Sequence, residues 1–244
     1  MGYTGVIIKA LIDGDILVYR VGFASQDIDE RLACARMDTA IENILKALDT
    51  VDYEVFLTAN DKSNFRHQIY PEYKANRKAP KPIHYEALRN WLVEQHKAVT
   101  AVEQEADDVL ADRQNEDTVI CSIDKDLDQI AGQHYNFVKD IRYSVSPEDG
   151  LRFFYLQILK GDSTDNVPGI EGIGDKKAER ILAGSEPNEL SYVATVREAY
   201  REKYGKAGDG LMLLMGRLLK IGGGLWEIPE APEVKDSEVI LNDM

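Results

Sequence analysis

The sequence has 244 residues, of which 44% are hydrophobic, and a formal net charge of −14. This length suits one sizeable core, alone or with a small second module. No apolar run approaches the roughly 18 residues of a membrane span, and the N-terminus lacks a signal-peptide pattern, so we expect a cytoplasmic protein without a membrane partner. Cys34 and Cys121 lie in apolar segments and are expected to be buried thiols, and the four scattered histidines argue against a zinc site.

The negative net charge at first argues against a nucleic-acid partner. The charges are, however, segregated along the chain. Seven basic residues lie between Lys62 and Arg89, against only Glu72 and Glu86 in the same stretch. Part of the acidity belongs to the C-terminal segment and part to a cluster within residues 103–130. A phosphate-binding segment is therefore compatible with the acidic total.

Strands and helices are predicted to alternate along the first two thirds of the chain. Strands are predicted at 6–12, 53–58, 98–102 and 119–123, followed by a β-like pair at 135–138 and 142–145. Helices are predicted at 16–24, 28–48 and 83–96, after Glu105, and again from Ser146-Pro147-Glu148. This alternation predicts an α/β fold with a mostly parallel central sheet and helices on both faces. Three prolines, at 71, 80 and 82, predict that part of the basic segment is loop or hinge.

Acidic residues follow the predicted strands. Asp13, Asp61 and Asp124 each come after a different strand, and the carboxyl ends of parallel strands are where such sheets bind ligands. Glu105 and Asp107 open the next helix, beside Asp108, and Asp126 follows Asp124. Like charges about 4 Å apart repel by about 4 kcal/mol at an effective dielectric of about 20. Either some of these carboxyls are protonated or cations bind among them, and we interpret them as metal ligands.

A glycine-rich stretch begins after residue 158, where the alternation of strands and helices ends. Residues 159–178 read as helix end, loop, glycine hairpin and helix start. The glycines follow a helix rather than a strand, which argues against a dinucleotide site, and no GxxxxGK[ST] motif is present. A helix-hairpin-helix fits better, because Gly172 and Gly174 permit a tight turn and the next helix presents its amides to a phosphate. Residues 188–222 are predicted to be helical, with a Met- and Leu-rich run at 211–219 in the core.

Several motifs together resemble the bacterial and bacteriophage 5′-nucleases, the flap-endonuclease and 5′→3′ exonuclease superfamily with a PIN-like core. The matching segments, in the family's order across roughly residues 6 to 185, are Ile12-Asp13-Gly14-Asp15, Asn64-Phe65-Arg66, Tyr73-Lys74-Ala75-Asn76-Arg77, Glu105-Ala106-Asp107-Asp108, Asp124-Lys125-Asp126 and Gly161-Asp162-Ser163-Thr164-Asp165-Asn166-Val167-Pro168-Gly169. The size resembles that of a stand-alone phage exonuclease. The resemblance implies a nuclease core at 1–158 with a basic arch at about 62–90, a helix-hairpin-helix subdomain at 159–225 and an acidic tail at 226–244.

The same resemblance implies roles by position. The catalytic residues would be Lys74, Asp13 and Asp124. A first Mg²⁺ or Mn²⁺ would be held by Asp13, Asp61, Glu105, Asp107 and Asp124, and a second by Asp126, Asp162 and Asp165 with Asp108 in support. DNA would be contacted by Arg20, Arg66, Tyr73, Lys74, Arg77, Gly172, Gly174, Lys176 and Lys177. A potassium ion at the hairpin would involve Val167, Gly169, Ile170 and Ile173.

The implied activity is hydrolysis of DNA phosphodiesters from 5′ ends, and at 5′ flaps and junctions, by a monomer in a bacterial or phage-infected cell. RNA in RNA:DNA hybrids is a further implied substrate. Elementary chemistry agrees, because two divalent ions offset phosphate charge and prefer oxygen ligands. Three alternatives stay open at this point: a PIN-type ribonuclease, a non-catalytic structure-specific DNA-binding protein, and a Mg²⁺ phosphotransferase with Asp13 as nucleophile.

Overall fold

The computed structural model describes residues 8–61 and 63–230. The strands are β1 (Lys9–Asp13), β2 (Tyr53–Thr58), β3 (Val99–Ala101), β4 (Thr118–Cys121), β5 (Gly132–Asn136) and β6 (Ile141–Val145). The helices are α1 (Gly14–Ala24), α2 (Glu30–Leu48), α3 (Phe65–Ile69), α4 (Tyr85–His96), α5 (Ala106–Arg113), α6 (Pro147–Lys160), α7 (Asp175–Leu182), α8 (Glu189–Tyr204) and α9 (Gly208–Leu219). Short 3-10 helices lie at Asp126–Gln129 and Gly205–Ala207.

The six strands form one sheet in the order β3-β2-β1-β4-β5-β6. β1 to β5 pair in parallel, and only the β5–β6 pair is antiparallel. The carboxyl ends of β1, β2 and β4 therefore meet at one edge, with Ile12 beside both Val55 and Cys121. The predicted mostly parallel α/β sheet is confirmed.

Alternation along the buried strands assigns the two faces of the sheet. Ile12 and Val55 pack into a core with α1, α2 and α4, whereas Leu11 and Phe56 pack on the opposite face against α5. Helices on both faces cover the central strands β1, β2 and β4, whose middle positions are apolar and buried on both sides of the sheet. Cys34 and Cys121 are buried free thiols, as predicted.

Helix α1 begins two residues earlier than predicted because Gly14 permits a very close approach. A Cβ at Gly14 would lie 2.6 Å from the carbonyl oxygen of Phe56 in β2. The chain can therefore pass from β1 into α1 without a loop. Asp13, the last residue of β1, becomes the N-cap of α1.

The second core is helical. Its buried side chains come from α6 to α9 and from the segments around them, and include Tyr155, Tyr200 and Met212. The predicted continuous helical stretch at 188–222 is interrupted at Gly205, whose φ of 59° lies in the left-handed region. Trp226, assigned to the tail, packs in this core at 8% exposure, so the tail would have to begin later. The rest of the predicted tail, 231–244, lies outside the described residues, as do 1–7 and Lys62.

The predicted domain boundary at 158/159 falls inside α6. Helix α6 contacts the 3-10 helix at 126–129 as well as α7, α8 and α9. The basic segment contains the short helix α3 and turns at 71–76, with irregular backbone from 77 to 82. The loop predicted from the prolines in this basic segment is confirmed.

Candidate metal and phosphate site

Four carboxylates lie where the central strands end and α5 begins. Asp13 ends β1, and Asp124 follows β4. Ser122 links them, because its hydroxyl donates to Asp13 Oδ2 at 2.7 Å and its Oγ accepts from the Asp124 N–H at 3.0 Å. Glu105 is the N-cap of α5, and Asp107 lies in its first turn. All four line one cleft of about 270 Å³.

A second group of carboxylates comes from two loops beside the first. Asp126 opens the 3-10 helix after β4, and Asp162 and Asp165 lie in the loop after α6. Two backbone hydrogen bonds of 2.8 Å between Asp162 and Val167 close that loop. Asp126 lies close enough to Asp124, Asp162 and Asp165 for their charges to raise its pKa. Asp124 therefore belongs to both groups, which gives two overlapping sites.

Burial and mutual repulsion raise the pKa of three of these carboxyls. Burial is the largest cause for Asp13, whose pKa is raised to about 7, with Asp124 among the repelling charges. Burial likewise raises the pKa of Asp126 to about 7, with Asp124 and Asp162 adding repulsion. The pKa of Asp107 lies well above its ordinary value, through burial and then the charge of Asp13. The positive charge of Lys74 offsets only a small part of this repulsion, at Asp107.

Three side chains of the basic segment reach into the cleft. Lys74 Nζ donates to Glu105 Oε1 at 2.5 Å and lies 3.4 Å from Asp165 Oδ2. Arg77 donates to Asp165, and the Tyr73 hydroxyl lies 2.9 Å from a carboxylate oxygen of both Glu105 and Asp165. The Lys74 N–H also donates to the Asp165 carbonyl at 2.9 Å, from a left-handed φ of 57°. The basic segment is thus docked on the carboxylates.

The donor set fits a hard divalent cation. Within residues 8–61 and 63–230, no group of three or more His, Cys, Asp or Glu side chains is already arranged to hold a metal ion. Glu105 and Asp165 are held by Lys74, Arg77 and Tyr73 instead. The available ligands are all carboxylate oxygens, which suit Mg²⁺ and Mn²⁺. The remaining repulsion at Asp13, Asp107 and Asp126 is what a bound cation would relieve.

A family model described as "5′-3′ exonuclease, N-terminal resolvase-like domain" matches residues 9–152, more than half of the chain. This chain belongs to the 5′-3′ exonuclease family.

Individual relatives agree with this family assignment. The chain is 31% identical over 231 residues to the thermostable DNA polymerase I of Thermus thermophilus, a match that covers 83% of this chain and 27% of the polymerase. The chain thus spans about a quarter of the length of the Thermus polymerases it matches. It is 27% identical over 206 residues to the 5′-3′ exonuclease of Buchnera aphidicola subsp. Schizaphis graminum, covering 75% of this chain and 72% of that protein.

A solved structure shares the fold. The bacteriophage T5 D15 flap endonuclease, described in a pseudo-enzyme-product complex with DNA and metal ions, aligns with a TM-score of 0.69 at 20% identity. The alignment covers 86% of this chain and 88% of the phage chain. The family predicted from the ordered motifs is confirmed by the family model.

The predicted roles of Arg66 and Asp108 need correction. Arg66 is 2% exposed, and its guanidinium donates to both carboxylate oxygens of Asp108, at 2.7 and 2.8 Å. It also donates to the carbonyls of Leu218 and Lys220, at 2.9 and 2.6 Å. All three guanidinium nitrogens of Arg66 therefore donate to groups inside the protein. This arginine is not available as a phosphate clamp, and Asp108 supports the fold through Arg66 rather than facing an ion.

Three further predicted residues receive different degrees of support from the structure. Tyr73 is 2% exposed, and its hydroxyl is hydrogen-bonded to carboxylates, so the predicted DNA contact is not supported. Asp61 lines the 270 Å³ cleft but is exposed, and hydrogen bonds from Ser63 lower its pKa. Arg20 lies on the exposed side of α1 and lines a separate cavity of about 380 Å³ with Arg36. The DNA-contact prediction for Arg20 and the ligand prediction for Asp61 stay predictions.

The glycine hairpin adopts a tight turn before α7. Gly172 has a φ of 80°, and Gly174 is the N-cap of α7. The Lys177 ammonium donates to the Gly172 carbonyl at 2.7 Å, and Lys176 is exposed beside it. Gly169 lies against Gly161, where a Cβ on either would approach backbone to 2.2 Å. The hairpin geometry expected from the sequence is present, while its contact with DNA and its potassium site at Val167, Gly169, Ile170 and Ile173 stay predictions.

Several cleft residues escaped the sequence-based prediction. Asp15 accepts from Arg89 at 2.8 Å and from the Thr58 N–H at 2.9 Å, which ties α1 and α4 to the end of β2. Asp15 could have been found from the Asp-Gly-Asp run. Ser122 and Gln157, which hydrogen-bond to Asp13 and Asp126, carry no comparable sequence signal.

Proposed function

We propose that this chain is a divalent-metal-dependent 5′-nuclease that hydrolyses DNA from 5′ ends and at 5′ flaps and junctions. The observation that carries the proposal is the pair of overlapping carboxylate groups, joined at Asp124, with Lys74 and Arg77 lying over them. Opposite charges held in one cleft suit a substrate that is a polyanion and needs cations for its hydrolysis.

The carboxylates would hold the metal ions in two sets. Asp13, Glu105, Asp107 and Asp124 would hold the first ion, with Asp61 near the cleft opening. Asp126, Asp162 and Asp165 would hold the second together with Asp124. Bound Mg²⁺ or Mn²⁺ would activate a water molecule and stabilise the charge that develops on the phosphate.

The basic residues would exchange partners when DNA binds. Lys74 and Arg77 form ion pairs with Glu105 and Asp165. Metal ions bound by these carboxylates would take over the neutralisation, and both cations would then be free to contact a phosphate. Lys74 would then stabilise the transition state as a compact point charge, and Arg77 would orient the phosphate by its planar fork.

The glycine hairpin would bind the duplex part of the substrate. Gly172 and Gly174 expose backbone at the start of α7, and Lys176 adds positive charge at an exposed position. Contacts of this kind recognise phosphates and ignore base identity. A potassium ion held by the carbonyls of Val167, Gly169, Ile170 and Ile173 belongs to the same proposal, as does action as a monomer in the cytoplasm. Within the described residues, no helix is long and apolar enough to cross a membrane.

The proposal is tested with duplex, 5′-flap and RNA:DNA hybrid substrates labelled at the 5′ or the 3′ end. With Mg²⁺, we expect short 5′-labelled products and progressive shortening of 3′-labelled strands from their 5′ ends. With EDTA, we expect no products. Absence of cleavage on all three substrates with Mg²⁺ or Mn²⁺ would refute the proposal, and cleavage of RNA strands alone would replace it by a ribonuclease.

A matched pair of variants locates the activity in the cleft. Asp124→Asn keeps the shape of the side chain shared by both carboxylate groups but removes its charge, and we expect cleavage to be abolished while DNA binding stays measurable. Asp117→Asn makes the same change at an exposed turn before β4 and should cleave normally. Equal activities of the two variants would show that the cleft is not the catalytic centre.

A further inference from the structure

Two buried glutamines connect Asp126 to the chain that follows α9. Gln157, in α6, donates from Nε2 to Asp126 Oδ1 at 2.8 Å. Its Oε1 accepts from Gln129 Nε2 at 2.6 Å. The two residues are 3% and 7% exposed. A buried amide with both ends hydrogen-bonded has little freedom to turn, so each glutamine is held in one orientation.

Backbone groups decide that orientation. Gln129 Nε2 donates to the Leu219 carbonyl at 2.7 Å, and Gln129 Oε1 accepts from the Ile221 N–H at 3.2 Å. Because a carbonyl only accepts and a backbone N–H only donates, exchanging the oxygen and nitrogen of Gln129 would lose both bonds. Gln129 therefore donates an N–H to Gln157, and Gln157 must accept it through its side-chain oxygen. The Gln157 amino group is consequently turned toward Asp126.

A close contact between helices holds the relay, formed by Gln129 and Gln157, next to Asp126. Gly150 lies two turns before Gln157 on α6, and a Cβ there would lie only 2.4 Å from the backbone carbonyl of Gln129. The absence of a side chain lets α6 rest directly on the 3-10 helix at 126–129. The distance between Gln157 and Asp126 is thus set by backbone packing rather than by long flexible side chains.

The same chain segment also supports the first carboxylate group. The carbonyls of Leu218 and Lys220 accept from Arg66, and the Gly222 N–H donates to Asp108 Oδ1 at 3.0 Å. Asp108 lies next to Asp107 in the first turn of α5. Its carboxylate also accepts from the Glu105 N–H at 2.9 Å. One stretch of backbone, residues 218–222, therefore contacts the partners of both carboxylate groups.

We propose that Gln157 and Gln129 are positioning residues that orient Asp126 for the second metal ion, with their polarity set by the backbone of residues 219–221. This inference rests on the proposed function, which assigns Asp126 to the second metal ion. An N–H donor on Oδ1 restricts rotation of the carboxylate. Removing an outer hydrogen bond of this kind typically weakens metal affinity or activity by about 10–100-fold.

The test is a calorimetric Mn²⁺ titration of the full chain without DNA, with circular dichroism to verify folding. Gln157→Met removes the donor at nearly constant length, and we expect about ten-fold weaker binding of one ion and unchanged binding of the other. Gln133→Met, at an exposed position of β5, is the matched control and should bind both ions like the wild type.

Gln129→Glu tests the direction in which Mn²⁺ affinity changes. A glutamate cannot supply both N–H bonds, so Gln157 would turn its amino group toward residue 129 and lose its donation to Asp126. The relay predicts weaker Mn²⁺ binding, whereas the added negative charge alone predicts tighter binding. In single-turnover cleavage, Gln157→Met should be about ten-fold slower at subsaturating Mn²⁺ and recover at saturating Mn²⁺.

The outcomes separate this inference from the proposed function. Wild-type affinities in both variants, equal weakening of both ions, or lower thermal stability with unchanged affinities would assign the glutamines to fold stability and overturn the relay. Failure of both variants to fold would do the same. A wild-type chain that binds no Mn²⁺ and cleaves nothing would instead refute the proposed function.

Discussion

Replacing Arg66 by methionine decides whether this arginine belongs to the interior or to the DNA-binding surface. The substitution retains an unbranched apolar stem and removes the guanidinium. It would leave the Asp108 carboxylate, which is 4% exposed, with only the N–H groups of Gly222 and Glu105 as donors. The carbonyls of Leu218 and Lys220 would lose their donor as well.

The expected cost follows from that burial. Removing one partner of a buried ion pair destabilises proteins by about 3–5 kcal/mol, because the other charge stays buried without compensation. Whole domains are stable by about 5–15 kcal/mol, so Arg66→Met consumes a large part of the margin. In a protein of this size, such a loss lowers the melting temperature by roughly 6–20 °C.

The assay is urea unfolding followed by circular dichroism, with a matched arginine as control. Arg201 makes an equally bidentate pair with Asp209 but does so at the surface, so Arg201→Met should change the unfolding midpoint far less. DNA affinity is measured on the same proteins at several salt concentrations. A folded Arg66→Met variant with wild-type stability, weaker DNA binding and a shallower salt dependence would refute the interior role and restore the phosphate clamp.

Three further predictions concern the same region. Lys74→Met should slow single-turnover cleavage by about 10²–10³-fold while Mn²⁺ affinity measured without DNA is not weakened, and an unchanged rate would exclude Lys74 from the chemistry. Gly150→Ala should destabilise the fold by up to about 2 kcal/mol, because overpacking against the Gln129 carbonyl costs about 1–3 kcal/mol and the helix propensity of alanine returns roughly 1 kcal/mol. A raised urea midpoint would contradict the close contact. Burial alone would raise the pKa of Asp108, but hydrogen bonds and charge from Arg66 outweigh it and lower that pKa. A carboxyl with a lowered folded-state pKa stabilises the protein at pH values above its unfolded pKa of about 3.9. The stability difference between wild type and Asp108→Asn should therefore be constant above about pH 5 and shrink as the pH falls below about 4. Urea titrations at each pH measure this difference.

Local pattern was sufficient for the elements that carry the carboxylates. Apolar runs that end on an acid predicted β1 with Asp13 and β4 with Asp124, because a parallel sheet places the carboxyl ends of its strands together. The glycine spacing likewise predicted the hairpin before α7, since a φ of 80° at Gly172 is available to few other residues. The order of the motifs was enough to assign the family.

Burial and partners over long sequence separations were decided only by the tertiary structure. From the sequence, Arg66 and Arg77 are equivalent cations in one basic segment. In the fold, Arg66 meets Asp108, 42 residues away, and the Leu218 carbonyl, 152 residues away, whereas Arg77 stays half exposed beside Asp165. Residue type determines which bonds a side chain can make, but the choice among partners depends on how the chain packs. For the same reason, nothing local distinguishes Gln157, beneath Asp126, from the exposed Gln133.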